Sequence, residues 1–250
     1  MPNADCSLLP DTHISRSEMG RHITSLVSHE LRTPLNAIIG FADVLGAEGV
    51  IEEAQRREFA GYIATGGAEL LGKINMMIDL ARLEAGTYTL NPEILDPFKI
   101  ANECCAVFLG EGEMFAEPGD VSGLRLRADR QALTLILTNL ISNANKFSAD
   151  DDEFSITIVE KNDGVEFVVA DNGCGIDQTF LDAMGTPFLA GDMSYGRRIQ
   201  GAGLGLAVVK GLVKLQNGKF SLTSTQHLGT KACVWLPSGL TAQSNMLELV

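Results

Sequence analysis

The chain has 250 residues, of which 45% are hydrophobic and 20% are charged, and its formal net charge is −13. This composition is typical of a globular protein with one or two domains, and the acidic balance disfavours a nucleic-acid partner, because phosphate binding needs clustered lysine and arginine. The five cysteines include no CxxC pair, which disfavours a disulfide framework and a zinc site, so we expect a cytoplasmic location.

No stretch of the sequence predicts a membrane segment. The first residues lack a basic region followed by an apolar one, and the longest apolar run, "LTLILTNLI" at 133–141, is too short to cross a bilayer. We expect any sensor or membrane part to lie outside this chain. Residues 1–15 carry no periodic pattern, so we expect them to be poorly ordered.

Two long amphipathic helices are predicted in the N-terminal third. Apolar residues recur at helical spacing from Ser17 to Leu45, and again from Glu52 to Glu84. The short loop between them predicts an antiparallel hairpin, to which we assign residues 16–88. One hairpin has too little core to be stable alone, so we predict a homodimer that forms a four-helix bundle.

His29 lies on the polar side of the first predicted helix. Its neighbours one and two turns away are His22, Ser25, Arg32, Thr33 and Asn36. This polar stripe argues against a core histidine, and no further ligand at metal-binding spacing supports a metal site. A solvent-facing imidazole is a competent nucleophile, and Glu30 can accept its other ring proton. Pro34 either loosens the helix after His29 or is a tolerated kink without function.

The remaining chain predicts an α/β sandwich. Gly86, Pro92 and Pro97 end the second helix, so 85–98 reads as a connection, with 89–97 as the linker. Beyond it we predict a helix at 129–148, a β-hairpin over 153–173 that turns at Asn162-Asp163-Gly164, a helix around 204–216 and a second hairpin over 218–237. These elements assign an α/β domain with a mixed sheet to 98–238 and a flexible tail to 239–250.

Three stretches of this domain carry residues suited to nucleotide chemistry. "NLISNANK" places Asn139 and Asn143 one turn apart, "DNGCGI" places Asp171 before two glycines, and "GAGLGL" places three glycines before a helix. Glycines ahead of a helix let backbone N–H groups approach phosphates, and an amide oxygen can serve as one Mg²⁺ ligand. A single Gly-x-Gly is equally typical of a tight turn. Only the three stretches together therefore predict a nucleotide-binding site.

In this order, "SHELRTPLNAIIG", "NLISNANKFS", "DNGCGI" and "GAGLGLAVVKG" resemble the H, N, G1 and G2 boxes of sensor histidine kinases of two-component systems. The resemblance covers residues 17–237. It implies a dimerisation and phosphoacceptor hairpin followed by an ATP-binding domain of the Bergerat fold. It also implies a kinase that autophosphorylates from Mg-ATP and passes the phosphoryl group to an aspartate of a response regulator receiver domain.

The same resemblance assigns roles to individual residues. It makes His29 the phosphoacceptor, Glu30 its acid/base partner and Thr33 the residue that orients water where phosphatase activity toward the regulator is present. Its cofactors are ATP and Mg²⁺, with Asn143 as the metal ligand. The ATP-binding residues that it implies are Asn139, Asn143, Lys146, Asp171, Gly173, Gly175, Arg197, Arg198, Gly201, Gly203, Gly205 and Thr230. Asp171 would accept a hydrogen bond from the adenine amino group, and 189–200 would form a lid.

The sequence departs from the family motifs at two positions, and two other functions compete with the histidine kinase interpretation. Leu135 replaces a commonly seen glutamine, and Ala202 replaces the usual threonine of the G2 box. The first other function is an ATP-driven conformational machine like gyrases and heat-shock chaperones. Those families place a glutamate base where this chain has Asn139, and an amide cannot act as a base. The second is a pseudokinase scaffold that docks a response regulator without phosphorylating it.

Overall fold

The computed structural model describes residues 16–47, 51–109, 123–148, 154–178, 181 and 204–239, except for the side chains of 16–30 and 109. Within these ranges none of the helices combines the length and apolar character that a membrane span needs. The predicted disordered start, most of the predicted tail and the predicted lid lie outside the described residues. The chain forms two compact units, Met1–Leu70 and Leu71–Val250, and their boundary falls inside the second long helix.

The elements alternate in type after two long helices. In chain order they are α1 (Arg16–Gly46), α2 (Glu53–Glu84), β1 (Pro92–Leu95), α3 (Pro97–Leu109), β2 (Leu126–Asp129), α4 (Arg130–Phe147), β3 (Ser155–Glu160), β4 (Gly164–Asp171), α5 (Leu204–Leu215), β5 (Lys219–Thr225) and β6 (Gly229–Pro237). The helical hairpin and the following α/β domain confirm the predicted fold class.

In the first unit, α1 and the start of α2 pack antiparallel. The ring of Phe41 stacks on the rings of Phe59 and Tyr62, with centroid distances of 5.6 and 4.7 Å. Ile38 lies further along against Gly66, where a Cβ atom would be 3.1 Å from Ile38 Cγ1. The absence of a side chain at Gly66 therefore allows the helices to approach closely. Pro34 is buried on the same side, and α1 continues past it to Gly46.

The strands described in the second unit form two antiparallel sheets. The larger has the order β3-β4-β6-β5, and β1 pairs with β2 in a separate two-stranded sheet. Asn162 and Asp163 both have positive φ (51° and 55°), as a two-residue turn of type I′ requires, so the predicted turn is confirmed. Every strand pair described is antiparallel, whereas we expected a mixed sheet. The hairpins β3-β4 and β5-β6 are antiparallel because of their short connections, and they join through β4 and β6, which also run in opposite directions.

The core of the second unit lies between the larger sheet and the helices α3, α4 and α5. Phe167 on β4, Ile136 on α4 and Leu212 on α5 are each fully buried there. The end of α2 contributes as well: Leu80 is buried, and Leu83 Cδ1 is 2.8 Å from where a Cβ of Gly211 would lie. The last turns of α2 therefore pack as part of the α/β unit.

Three elements were not predicted from the sequence: β1, α3 and β2. Strand β1 occupies residues 92–95 of the predicted linker, where it pairs with β2 from Pro92↔Asp129 to Leu95↔Leu126. Both strands have four residues, too few for an alternating pattern to stand out, and β1 begins with a proline that usually ends regular structure.

Candidate functional site

Helix α4 carries the first group of candidate residues and is fixed firmly at its start. Asp129 caps the helix, because its Oδ1 accepts a hydrogen bond of 2.8 Å from the Ala132 backbone N–H. Its Oδ2 accepts a second one, 2.6 Å long, from the backbone N–H of Asn91. Aspartate is among the best capping residues, and loss of such a cap typically costs about 1 kcal/mol. The cap fixes where α4 begins and therefore where the residues further along it lie.

Asn139 packs against the first turn of α5. Its side chain is buried, with 9% of the residue exposed, and its Nδ2 donates to the Leu135 carbonyl at 2.8 Å. Its Oδ1 is 2.7 Å from where a Cβ of Gly205 would lie, so a residue with a side chain at 205 would displace it. The glycine is thus needed for close contact between α4 and α5. Further along α4, Asn143 is half-buried and Lys146 is exposed.

The loop after β4 lies against the end of α4 and against the hairpin of β5 and β6. A Cβ on Gly173 would overlap the Phe147 carbonyl, and the Cys174 N–H donates to that carbonyl at 3.4 Å. Gly175 has φ +63°, a conformation that favours glycine, and a Cβ there would overlap the Thr225 carbonyl. A side chain at either glycine would therefore clash with a neighbouring backbone carbonyl.

Asp171, the last residue of β4, is held by two backbone N–H groups. Its Oδ1 accepts from the Gly173 N–H at 2.9 Å and from the Thr230 N–H at 3.2 Å. Desolvation by burial raises the pKa of this carboxyl above its ordinary value, and the two N–H bonds partly oppose that shift. An ionised carboxylate is an acceptor only, so Asp171 suits a ligand that presents a donor.

Thr230, at the start of β6, joins Asp171 to a network that includes Ser224. The Ser224 and Thr230 hydroxyl oxygens are 2.9 Å apart, and Ser224 Oγ also bonds the Gly229 carbonyl and the Ile176 N–H. Ser224 was not among the residues predicted from the sequence. The available signal was its position: on β5 it follows Phe220 and Leu222 in the alternation, so a serine stands at a core-facing position.

Several predicted residues meet in this region. Contacts link Asn139 with Gly205, Gly173 with the end of α4, and Asp171 with Thr230. Asn143 and Lys146 follow Asn139 on α4 at spacings of four and three residues, which places them on the same side of the helix. Arg197, Arg198, Gly201 and Gly203 lie outside the described residues.

The phosphoacceptor candidates lie on α1. The backbone of His29 and Glu30 is helical, as predicted, and their side chains are outside the described residues. Next along α1, Arg32, Thr33 and Asn36 are exposed, as the polar stripe predicts. Thr33 sits one turn after His29.

The residues present fit a nucleotide with Mg²⁺ better than a metal held by protein alone. Within the described ranges, no three His, Cys, Asp or Glu side chains cluster as a metal cage. Mg²⁺ commonly takes one or two protein oxygens and completes its coordination with phosphates and water. The half-buried amide of Asn143 is suited to that role, and Asp171 is suited to a base that donates a hydrogen bond.

Two family models match the chain in succession. Residues 21–86 match the His Kinase A (phospho-acceptor) domain, and residues 128–240 match the histidine kinase-, DNA gyrase B-, and HSP90-like ATPase domain. The first match contains His29 and most of α1 and α2. The second begins just before α4 and contains every described residue of the site built around Asn139 and Asp171.

The chain is also similar to individual known proteins. An uncharacterized sensor-like histidine kinase of Rhizobium meliloti (strain 1021) is 36% identical over 237 residues, which are 90% of this chain and 44% of that protein, so the chain spans less than half of its relative. The crystal structure of full-length ShkA with AMPPNP has a TM-score of 0.61 and 25% identity, covering 89% of this chain and 46% of ShkA. The histidine kinase ThkA, in complex with the response regulator TrrA, has a TM-score of 0.61 and 20% identity, covering 89% of this chain and 62% of that one.

Proposed function

Because the chain belongs to the sensor histidine kinase family, we propose that it autophosphorylates His29 from Mg-ATP and passes the phosphoryl group to an aspartate of a response regulator. The observation that carries the proposal is the arrangement of Asp171 and Thr230, in which two backbone N–H groups hold one carboxylate oxygen. We assign the second oxygen to a base amine. Membership of the family supports the reaction class, and this geometry supports a ligand that presents a hydrogen-bond donor.

The proposed reaction needs few covalent steps from the protein. A nitrogen of His29 attacks the γ-phosphorus, the bond from that phosphorus to the β,γ-bridging oxygen breaks, and ADP leaves. Glu30 accepts the proton from the other ring nitrogen of His29. Positioning and charge neutralisation provide most of the catalysis in phosphoryl transfer, and Lys146 is suited to contact the phosphates.

The metal would be held by the Asn143 amide oxygen together with nucleotide phosphates and water. When bound, Mg²⁺ neutralises charge on the phosphate oxygens. We assign Asn139 a supporting role, because its Nδ2 already donates to Leu135 and its Oδ1 faces the first turn of α5. An amide in this position cannot activate water, which argues against the ATP-driven machine as an alternative.

We propose that the partners are a second copy of this chain and a response regulator receiver domain, with the reaction in the cytoplasm. Apolar side chains exposed on α1 and α2 support the second copy, because one hairpin cannot cover them. ThkA was solved with a response regulator, and the same class of partner is proposed here on the basis of the shared fold and family.

We propose 16–88 as the dimerisation and phosphoacceptor hairpin and 98–238 as the ATP-binding domain. Transfer requires the nucleotide to reach His29, which implies a hinge, and we place that hinge within 86–97. Residues 92–95 of that segment are paired with β2, and the Asn91 N–H is bonded to Asp129. A hinge nearer the end of α2, where Gly86 has φ +66°, would leave these bonds intact.

The test is incorporation of label from γ-labelled ATP into the purified full chain with Mg²⁺. We expect acid-labile, base-stable label that is abolished in Asn143→Ala and retained in Gln55→Ala, a control on the exposed surface of α2. Transfer from the labelled protein to a panel of receiver domains would then identify the regulator. A wild-type chain that binds ATP and takes up no label would instead support the scaffold.

Thr33→Ala tests the proposed phosphatase activity. Thr33 is exposed on α1 one turn after His29, so its hydroxyl can orient a water molecule there. We expect dephosphorylation of the regulator to fall at least tenfold while autophosphorylation stays within about twofold, measured with the same labelled regulator. Equal loss of both activities would contradict the role assigned to Thr33.

A further inference from the structure

Ser224 lies at the centre of the hydrogen-bond network beside Asp171. Its Oγ is 2.7 Å from the Gly229 carbonyl oxygen, 2.8 Å from the Ile176 backbone nitrogen and 2.9 Å from Thr230 Oγ1. These contacts join β5, the start of β6 and the loop after Gly175. Neither the family motifs nor the sequence patterns assigned Ser224 a role.

The direction of each hydrogen bond follows from the donors available. A hydroxyl has one proton and two lone pairs. The Gly229 carbonyl can only accept, so the Ser224 proton goes to it, and the Ile176 N–H can only donate, so it takes one Ser224 lone pair. The remaining lone pair must accept from Thr230, which commits the only hydroxyl proton of Thr230.

Thr230 therefore presents acceptors alone to its surroundings. Its backbone N–H is donated to Asp171 Oδ1, and its hydroxyl proton is donated to Ser224. Beside it, the ionised carboxylate of Asp171 is also an acceptor only. Because both side chains present only acceptors, they favour a base whose edge carries a hydrogen-bond donor and disfavour a base that lacks one.

We propose that Ser224 is a positioning residue that sets the Thr230 hydroxyl as an acceptor and so strengthens selection for a purine that carries an exocyclic amine. The proposal rests on the proposed function, because it assumes that a nucleotide base binds beside Asp171. It adds a determinant of base selectivity on β5, a strand that bears none of the predicted site residues.

The test compares two ligands that differ only in the amine. Dissociation constants of ATP and of purine riboside triphosphate, which lacks the 6-amino group, are measured with Mg²⁺ on the full chain of wild type and Ser224→Ala. We expect the wild type to prefer ATP and the variant to lose about threefold to tenfold of that preference, the range of one neutral hydrogen bond. Ser221→Ala, an exposed serine on the outer side of the same strand, should keep the wild-type ratio.

The ratio of the two dissociation constants distinguishes a role of Ser224 in base selectivity from a purely structural role. If Ser224 only holds the loop together, both nucleotides should weaken by the same factor and the ratio should stay constant, which would overturn the proposal. Thr230→Val should lose the same share of preference, and the double variant should lose no more than Thr230→Val alone, because both act on one hydroxyl. Additive losses would also contradict the proposal.

Two measurements keep the result interpretable. If Ser224→Ala does not fold, Ser224→Cys keeps a similar size with a poor donor and acceptor, and the same change in ratio is expected. ATP binding by the wild type is measured first, because its absence would refute the proposed function itself. Wild-type binding with an unchanged ratio in the variants would refute only the role of Ser224.

Discussion

The helical hairpin and the α/β domain solve the burial of apolar side chains differently. On α1, Leu35 and Ile39 are 42% and 49% exposed, and on α2 Leu71, Ile74 and Ile78 are also exposed. In the α/β domain Phe167 of the four-stranded sheet is fully buried, although single apolar residues such as Val159 and Leu228 are exposed there as well. A single surface leucine needs no explanation, whereas apolar residues that recur along both helices indicate a surface that another molecule covers.

The two parts therefore depend on assembly to different degrees. Among the described residues, the core of the α/β domain is formed by α3, α4, α5 and the four-stranded sheet, with a contribution from the end of α2. The hairpin provides only one layer of contacts between two helices, such as Phe41 on Phe59 and Tyr62. Nucleotide binding should therefore survive the loss of dimerisation, and the stability of the hairpin should not.

The largest expected effect is on the core of the α/β domain. Phe167→Ala removes a ring that is 0% exposed, and such substitutions typically cost about 3–5 kcal/mol. Trp235, the only tryptophan of the chain, lies on β6 and reports unfolding of this domain in urea. As a control, Leu228→Ala at a 74% exposed position should change the free energy of unfolding by less than about 0.5 kcal/mol. Similar losses in both variants would mean that the core is not where we place it.

The second effect concerns the hairpin alone. Leu35→Lys combined with Ile39→Lys should raise the dissociation constant of the dimer at least tenfold, because each apolar side chain is worth about 1.5–3 kcal/mol when buried. Sedimentation measures the dimer, and Trp235 fluorescence should show unchanged unfolding of the α/β domain. Gln55→Lys, a polar surface position on α2, is the matched control. A dimer unaffected by the double substitution would place the interface elsewhere.

The third effect is a pH dependence that has opposite signs for stability and for binding. Burial raises the pKa of Asp171, so its contribution to folding is present below its ordinary pKa and is lost as pH rises through the raised value. ATP binding needs the ionised carboxylate, so affinity should fall as pH drops through that same value. Asp171→Asn should weaken ATP at least tenfold at pH 8 and remove this acidic fall, both measured by titration calorimetry. An acidic fall that persists in Asp171→Asn would assign it to another group.

The last prediction compares the reaction rates of buried and exposed cysteine thiols. Cys104 and Cys105 are buried on α3, and desolvation raises the pKa of Cys105 to about 11, whereas Cys174 is exposed beside Gly173. Thiolate is the reactive form, so iodoacetamide at pH 8 should label Cys174 at least tenfold faster than Cys105. Peptide mapping measures both rates in one sample. Equal rates in the folded protein would show that α3 opens readily.

Periodic and turn-forming sequence predicted much of this structure. The long spacing pattern predicted α1 and α2 to within two residues of each end, and Asn162-Asp163-Gly164 predicted the first hairpin. The strands β1 and β2 were missed because a four-residue strand carries too few alternations to be distinguished from a loop. Their pairing depends on contacts between distant parts of the chain, which local pattern does not contain.

Some residues of the candidate site could likewise be predicted from the sequence, and others could not. The motif glycines and Asp171 could be identified as candidates because they belong to short motifs, and the structure brings Asp171 and Thr230 together. Ser224 could not, because its importance comes from the bonds that it forms with Ile176, Gly229 and Thr230, up to 48 residues away. Likewise, no sequence pattern shows that α2 ends as part of the α/β unit, since this depends on the fit of Leu83 against Gly211.

We propose above all that a nucleotide held by the α/β domain phosphorylates His29 on the hairpin. The most direct measurement is mass-spectrometric peptide mapping at neutral to basic pH after incubation of the full chain with Mg-ATP. We predict one phosphoryl group on His29, absent in Asn143→Ala and still formed in Leu228→Ala. Phosphorylation of the His29→Ala variant at an equal level, or of another residue in the wild type, would contradict the account.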